Sequence, residues 1–169
     1  ATGITANDRV YNATTAATLN KSGAAITPGA TNSTDKKYYT GDAVSLVVSG
    51  ATGAFLNKDV GMDKVVRVSG LTLTGADRSN YTLKDASGAR ADITKADLSV
   101  TANDDSRVYS GAAYWGGNGV TYGGFVNGET AAVLGGGLTY GGTSQGAVSP
   151  GIYSIVPFGL TSGNYAIRY

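Results

Sequence analysis

The sequence contains no cysteine and no histidine, and only one methionine, one tryptophan, three prolines and three phenylalanines in 169 residues. Without cysteine there are no disulfides and no thiolate metal sites. Without histidine the commonest metal ligand and the usual general base are gone. A Ser-His-Asp triad, a Cys-His pair or a zinc centre therefore cannot be assembled from this chain. Charged residues are scarce at 15%, against about 25% in an average globular domain. The net charge of +1 gives no electrostatic case for nucleic acid or an anionic membrane. No apolar run reaches the roughly 18 residues that would suggest a membrane span. The glycine-rich tract is no phosphate loop, because no Lys-Ser or Lys-Thr follows it and no Gly-x-Gly-x-x-Gly opens a long helix. These absences lead us to expect a chain that is not an enzyme, takes no cofactor and inserts into no membrane.

The missing cysteines admit two readings of the compartment. One is a cytosolic protein. The other is an extracellular chain exported unfolded through a narrow pore, which a disulfide loop would block. The chain opens at Ala1 with neither an initiator methionine nor a signal-peptide pattern, and is expected to be a piece of something longer.

What is present reads as β-structure. Hydrophobic residues make up 41% and eleven residues are tyrosine, a side chain that can bury its ring and still reach water with its hydroxyl. "DAVSLVVSG" places Val44, Leu46 and Val48 on one face. "KVVRVSGLTLTG" gives Val66 and Val68, then Leu71 and Leu73 after a Ser-Gly break. Ala89, Ala91 and Ile93, and then Leu98, Val100 and Ala102, repeat the pattern. A period of two, punctuated by glycine, is the signature of half-buried strands. "NGETAAVL", Asn127 to Leu134, is the only candidate helix, at most two turns, with Glu129 near its N-terminus.

The chain also repeats itself. "ITANDRVYNATTAATL" near the start is echoed by "VTANDDSRVYSGAAYW" from Val100, and "GLTLTGADRSNYTL" by "GLTSGNYAIRY". Internal self-similarity marks tandem units. Two modules follow, 1–95 and 96–169, each opening on the Thr-Ala-Asn-Asp strand and closing on an Asn-Tyr strand that pairs with it. Tyr11 is then expected beside Tyr81, and Tyr109 beside Tyr165. The halves differ in charge: eleven basic and eight acidic residues through Lys95, two basic and four acidic after it. The joint "RADITKADLSV" has no glycine, proline or serine tract and predicts a stiff strand-like connector. Ile93 and Leu98 lie an odd number of residues apart, so the buried face must switch between Thr94 and Asp97.

The order of these motifs resembles a bacterial surface-protein family. "RVYNATTAATL", "VSGATGAFLNKDVGMDKVVRVSGLTLTGADRSNYTL" and "ARADITKADLSVTAND" look like a YDG-type repeat. "SRVYSGAAY", "TYGGFVNGETAAVLGGGLTY" and "SPGIYSIVPFGLTSGNYAIRY" look like its MBG-type partner. Such repeats occur in large adhesins and filamentous haemagglutinin-like exoproteins of Gram-negative bacteria. The resemblance implies a mainly β chain of two small modules, sandwich or β-grasp-like. It implies the cell surface of a Gram-negative bacterium, with neighbouring repeats of the parent chain as partners and host or matrix glycans as further ones. The namesake Tyr-Asp-Gly is Tyr11-Asn12-Ala13 here, so the first module loses a glycine-supported turn; the second has Tyr109-Ser110-Gly111.

A few residues invite chemistry. Asn103, Asp104 and Asp105 could offer oxygens to calcium, or form a plain turn. Tyr114 and Trp115, followed by two glycines, could stack against a sugar ring; the alternative is that Trp115 plugs the second module's core, where tryptophan usually sits. A Lys–Asn isopeptide crosslink is conceivable only in the first module, since no lysine follows Lys95. Sequons stand at Asn12, Asn20, Asn32 and Asn80. Two functions from different classes result: a stalk or spacer segment of an adhesin acting in cell adhesion or biofilm, and a module of the same adhesin that binds a glycan or host receptor. A concave patch with exposed aromatics separates the second from the first.

Overall fold

The computed structural model describes residues 1–29, 37–84, 86 and 88–169. The chain is mainly β. Among the described residues there is no α-helix, only two 3₁₀ turns, Arg78–Asn80 and Ala131–Val133. The second lies inside the stretch where the sequence placed a short helix. Thr130 caps it, its hydroxyl accepting from the Ala132 N–H. Glu129 does not serve that terminus as expected; a single turn has almost no dipole to complement, and the carboxylate is engaged elsewhere. The chain divides into two compact units, the first made of Ala1–Val10 and Thr14–Thr94, the second of Tyr11–Ala13 and Lys95–Tyr169.

Among the described residues unit 1 holds eleven strands: β1 Thr5–Ala6, β2 Arg9–Val10, β3 Ala16–Ala17, β4 Leu19–Asn20, β5 Pro28–Gly29, β6 Tyr38–Tyr39, β7 Ser45–Val47, β8 Thr52–Phe55, β9 Gly61–Ser69, β10 Thr72–Thr74 and β11 Arg90–Thr94. Five of them form one sheet in the order β2-β11-β9-β8-β3. The opening strand β2 lies parallel to β11, so the two ends of the unit share a sheet as the repeat suggested. Alternation does what the sequence implied: Val66, Val68, Ala89, Ala91 and Ile93 are buried while their neighbours in β9 and β11 are mostly exposed. The break at Gly70 is enforced by crowding. Its φ is +77°, and a Cβ there would sit 2.2 Å from the Gly50 carbonyl oxygen, so no other residue fits.

The expected equivalence of the two Asn-Tyr segments fails. Asn80 ends a 3₁₀ turn and Tyr81 leaves it as irregular chain, whereas Tyr165 begins a strand. Tyr81 packs edge-on against Tyr38 at 6.3 Å and donates its hydroxyl to Asp42 at 2.6 Å. That bond holds the proton on and raises the phenol's pKa.

Unit 2 holds five strands: β12 Ala96–Ala102, β13 Val120–Gly123, β14 Gly135–Gly141, β15 Val156–Thr161 and β16 Tyr165–Arg168. β12 is central to a three-stranded sheet, antiparallel to β13 and parallel to β16. β14 and β15 form a separate antiparallel pair. Lys95 alone separates β11 from β12. The buried set changes from Ala91 and Ile93 to Ala96, Leu98 and Val100, so the parity switch falls across Thr94 and Lys95.

The core of unit 2 is aromatic. Tyr122, Phe125, Tyr165 and Tyr11 touch in series, with centroids 5.4, 5.4 and 5.5 Å apart. The last two contacts are edge-to-face, the favoured geometry for ring quadrupoles. Tyr11 is thus not paired with Tyr81, nor Tyr109 with Tyr165. Glu129 ties the series off: Tyr11 donates to one carboxylate oxygen at 2.9 Å and Tyr165 to the other at 2.7 Å. Tyr165 titrates above the usual phenol range, first because burial disfavours the phenolate and then because the Glu129 carboxylate accepts its proton. Ala13, in the place of the lost glycine, keeps the turn by adopting a left-handed φ of 60°.

Candidate functional site: an aromatic cleft in unit 2

Two irregular segments of unit 2 face each other across an open cleft of about 710 Å³. One runs from the end of β12 through Tyr114, the other from Ser144 to Ile155. Loops of this length are held by side-chain hydrogen bonds in place of ladders. Asn103 anchors the first segment. Its amide donates to the Asn118 carbonyl at 3.0 Å and its oxygen accepts from the Thr121 hydroxyl at 2.8 Å. Asn118 returns a bond to the Asp104 carbonyl at 2.9 Å.

The two segments are also stitched together. The Tyr114 N–H donates to the Ala147 carbonyl at 2.9 Å, and the Gly146 N–H donates to the Tyr114 carbonyl at 2.7 Å. The Gln145 side chain pairs with both backbone groups of Gly116. Arg107 reaches the Ala112, Ala113 and Ala147 carbonyls and lies over the Tyr114 ring, 5.4 Å from its centroid.

Three tyrosines line the cleft. Tyr114 donates its hydroxyl to Asp105 at 2.8 Å, and that bond raises its pKa. Tyr153 donates to the Ser149 carbonyl at 2.9 Å and has Gly151 against its ring, where a Cβ would come within 3.2 Å. Tyr109 is 64% exposed.

The sequence-derived candidates therefore divide. Tyr114 faces the cleft. Trp115 does not line it and is 73% exposed, which corrects the expectation that it fills the core. Unit 2's core is already occupied by the aromatic series of Tyr122, Phe125, Tyr165 and Tyr11. Asn103 and Asp105 commit their side-chain oxygens to Thr121, Tyr114 and the Ser106 N–H. Among the described residues no group of three or more acidic side chains is placed to hold a metal ion, so these residues behave as loop ties. Lys64 Nζ does approach Asn57 Oδ1, at 2.5 Å, but Asn57 is exposed and the dry setting such a crosslink needs is lacking. Asn12, Asn20 and Asn80 are exposed; Asn32 lies outside the described residues.

Tyr109 and Tyr153 escaped the sequence reading. The available signal was an aliphatic and an aromatic placed inside a turn sequence, Ser-Pro-Gly-Ile-Tyr, where neither can reach a core; Ile152 is fully exposed.

Two small β units, one bearing an aromatic cleft, define a repeat-type β protein. Residues 1–88 match the model of the YDG domain family, more than half of the chain, and the chain belongs to that family. Residues 98–169 match the MBG domain of the YGX type. Comparison with curated proteins returned no match, and neither did comparison with solved structures. Among the described residues no helix is long and apolar enough to cross a membrane.

Proposed function

We propose that the chain is a non-catalytic repeat segment of an adhesin on the surface of a Gram-negative bacterium, contributing reach and protease resistance to a stalk. The observation that carries this reading is the joint between the two families' domains. Only Lys95 intervenes between β11 and β12, and the chain on either side is tied: Thr94 pairs with Val10 in the sheet and donates its hydroxyl to the Arg9 carbonyl, and the Ala96 N–H donates to the Asn164 carbonyl. Lys95 itself donates to the Ser162 carbonyl at 2.9 Å. A connector with so few free dihedrals suits a spacer. Limited trypsin digestion tests it, because Lys95 is an exposed cleavage site. Cleavage after Lys95 is expected to be no faster than after Arg67 within β9. Rapid, selective cutting there into two stable pieces refutes the spacer reading.

A second reading is favoured by the cleft. A pure spacer has no use for a concave surface with exposed tyrosines, and aromatic side chains are what binding sites accumulate. The same segment then also binds a glycan or receptor through unit 2.

A further inference from the structure

We infer that the unit 2 cleft takes a neutral, hydroxyl-rich saccharide; this rests on the binding-module reading above and names its ligand class. The volume of about 710 Å³ falls within the roughly 300–1,000 Å³ usual for small-molecule sites. The polar groups decide what fits. Tyr114 and Tyr153 have spent their hydroxyl protons on Asp105 and Ser149. Arg107, the cation lining the cleft, is committed to three carbonyls and the Tyr114 ring. The hydroxyl oxygens of Tyr114 and Tyr153 are thereby left as acceptors, and the exposed carboxylate of Asp104 lines the cleft as another, beside the Tyr109 hydroxyl. Such a surface rewards a ligand that brings its own O–H donors. It disfavours anionic sugars, whose charge would face the carboxylates of Asp104 and Asp105 against the single guanidinium of Arg107.

The apolar part of the fit is equally specific. Tyr109 exposes its ring, and the C–H face of a pyranose has the flat, weakly positive character that stacks on an aromatic ring. Tyr114 and Tyr153 are fixed by their hydroxyl bonds before any ligand arrives, so little rotamer entropy is lost on binding.

The test uses the full chain and saturation-transfer NMR with maltohexaose, cellohexaose and mannohexaose, alongside a hyaluronan hexasaccharide and decaproline. At least one neutral hexasaccharide is expected to bind. Tyr109→Ala should weaken it ten-fold or more and Asp104→Asn several-fold, with thermal melting unchanged, because both side chains are exposed. Trp115→Ala should leave binding as it was. Neutral-sugar binding that survives both cleft variants, or that is lost only in Trp115→Ala, refutes the cleft as the site. Tyr109-dependent binding of hyaluronan or decaproline instead overturns the neutral-saccharide inference and leaves the binding reading standing. Silence from all five probes at millimolar concentration overturns both.

Discussion

Tyr11 offers the sharpest test of how unit 2 is built. It lies far from the rest of that unit in sequence, 118 residues from Glu129, yet it is 2% exposed and completes the aromatic series against Tyr165. Tyr11→Phe keeps the ring and deletes one hydrogen bond to a carboxylate. Bonds to charged groups are worth about 1.5–3 kcal/mol, and Glu129 keeps its bond from Tyr165, so a loss of about 1–2 kcal/mol is expected. Tyr11→Ala also removes the ring. Aromatic-to-alanine changes in cores cost about 3–5 kcal/mol, and the lost edge-to-face pair is contained in that figure. Segment-resolved hydrogen exchange reads both. At about 1.4 kcal/mol per factor of ten, protection of β12 and β16 should fall about ten-fold in the phenylalanine variant and by two to three orders of magnitude in the alanine variant. Protection of β9 should change much less. Loss confined to β9, with β12 and β16 untouched, refutes the assignment of Tyr11 to unit 2. Full protection in Tyr11→Phe refutes an energetically significant bond to Glu129.

Ala13→Gly should stabilise the chain by up to about 1 kcal/mol, read by urea unfolding, because a left-handed alanine costs roughly 1–2 kcal/mol and glycine's extra unfolded-state freedom returns part of that; destabilisation would contradict the positive φ. Leu98→Ala, at a fully buried position, should cost about 2–5 kcal/mol, whereas Val108→Ala, 89% exposed, should fall within about 0.5 kcal/mol. Alkaline titration should expose Tyr165. Its folded-state pKa lies above the unfolded value of about 10, so the folded state holds the proton longer. Stability is then complete below that pH and declines as pH rises through the folded pKa. Tyr165→Phe should flatten that decline in a series of urea unfolding curves; an unchanged slope would place the titrating group elsewhere. Asp105→Ala should release the Tyr114 hydroxyl and lower that tyrosine's pKa in a spectrophotometric titration.

The local half of this protein is legible in its residues. Val66, Val68, Ala91, Ile93, Leu98 and Val100 are buried where alternation put them, because a strand's side chains face opposite ways with period two whatever the fold. The parity switch at the joint followed from the same geometry. So did the β class, from turn residues and the absence of helical periodicity. Composition likewise excluded disulfides outright.

Whatever depends on which segments meet was set by packing. Two copies of one motif implied two copies of one pairing, but Tyr11 went to Tyr165 and Tyr81 to Tyr38, since ring contacts are fixed by sheet order and not by motif spacing. Trp115 carries the composition of a core residue, but the core was already filled, leaving it in solvent. The cleft brings Asp105 and Tyr114 opposite a segment some 40 residues further along, as the Arg107 bond to Ala147 records. No period or motif encodes such a meeting. It arises because loops too irregular to pair as strands satisfy their polar groups with whatever the packed sheets bring within reach.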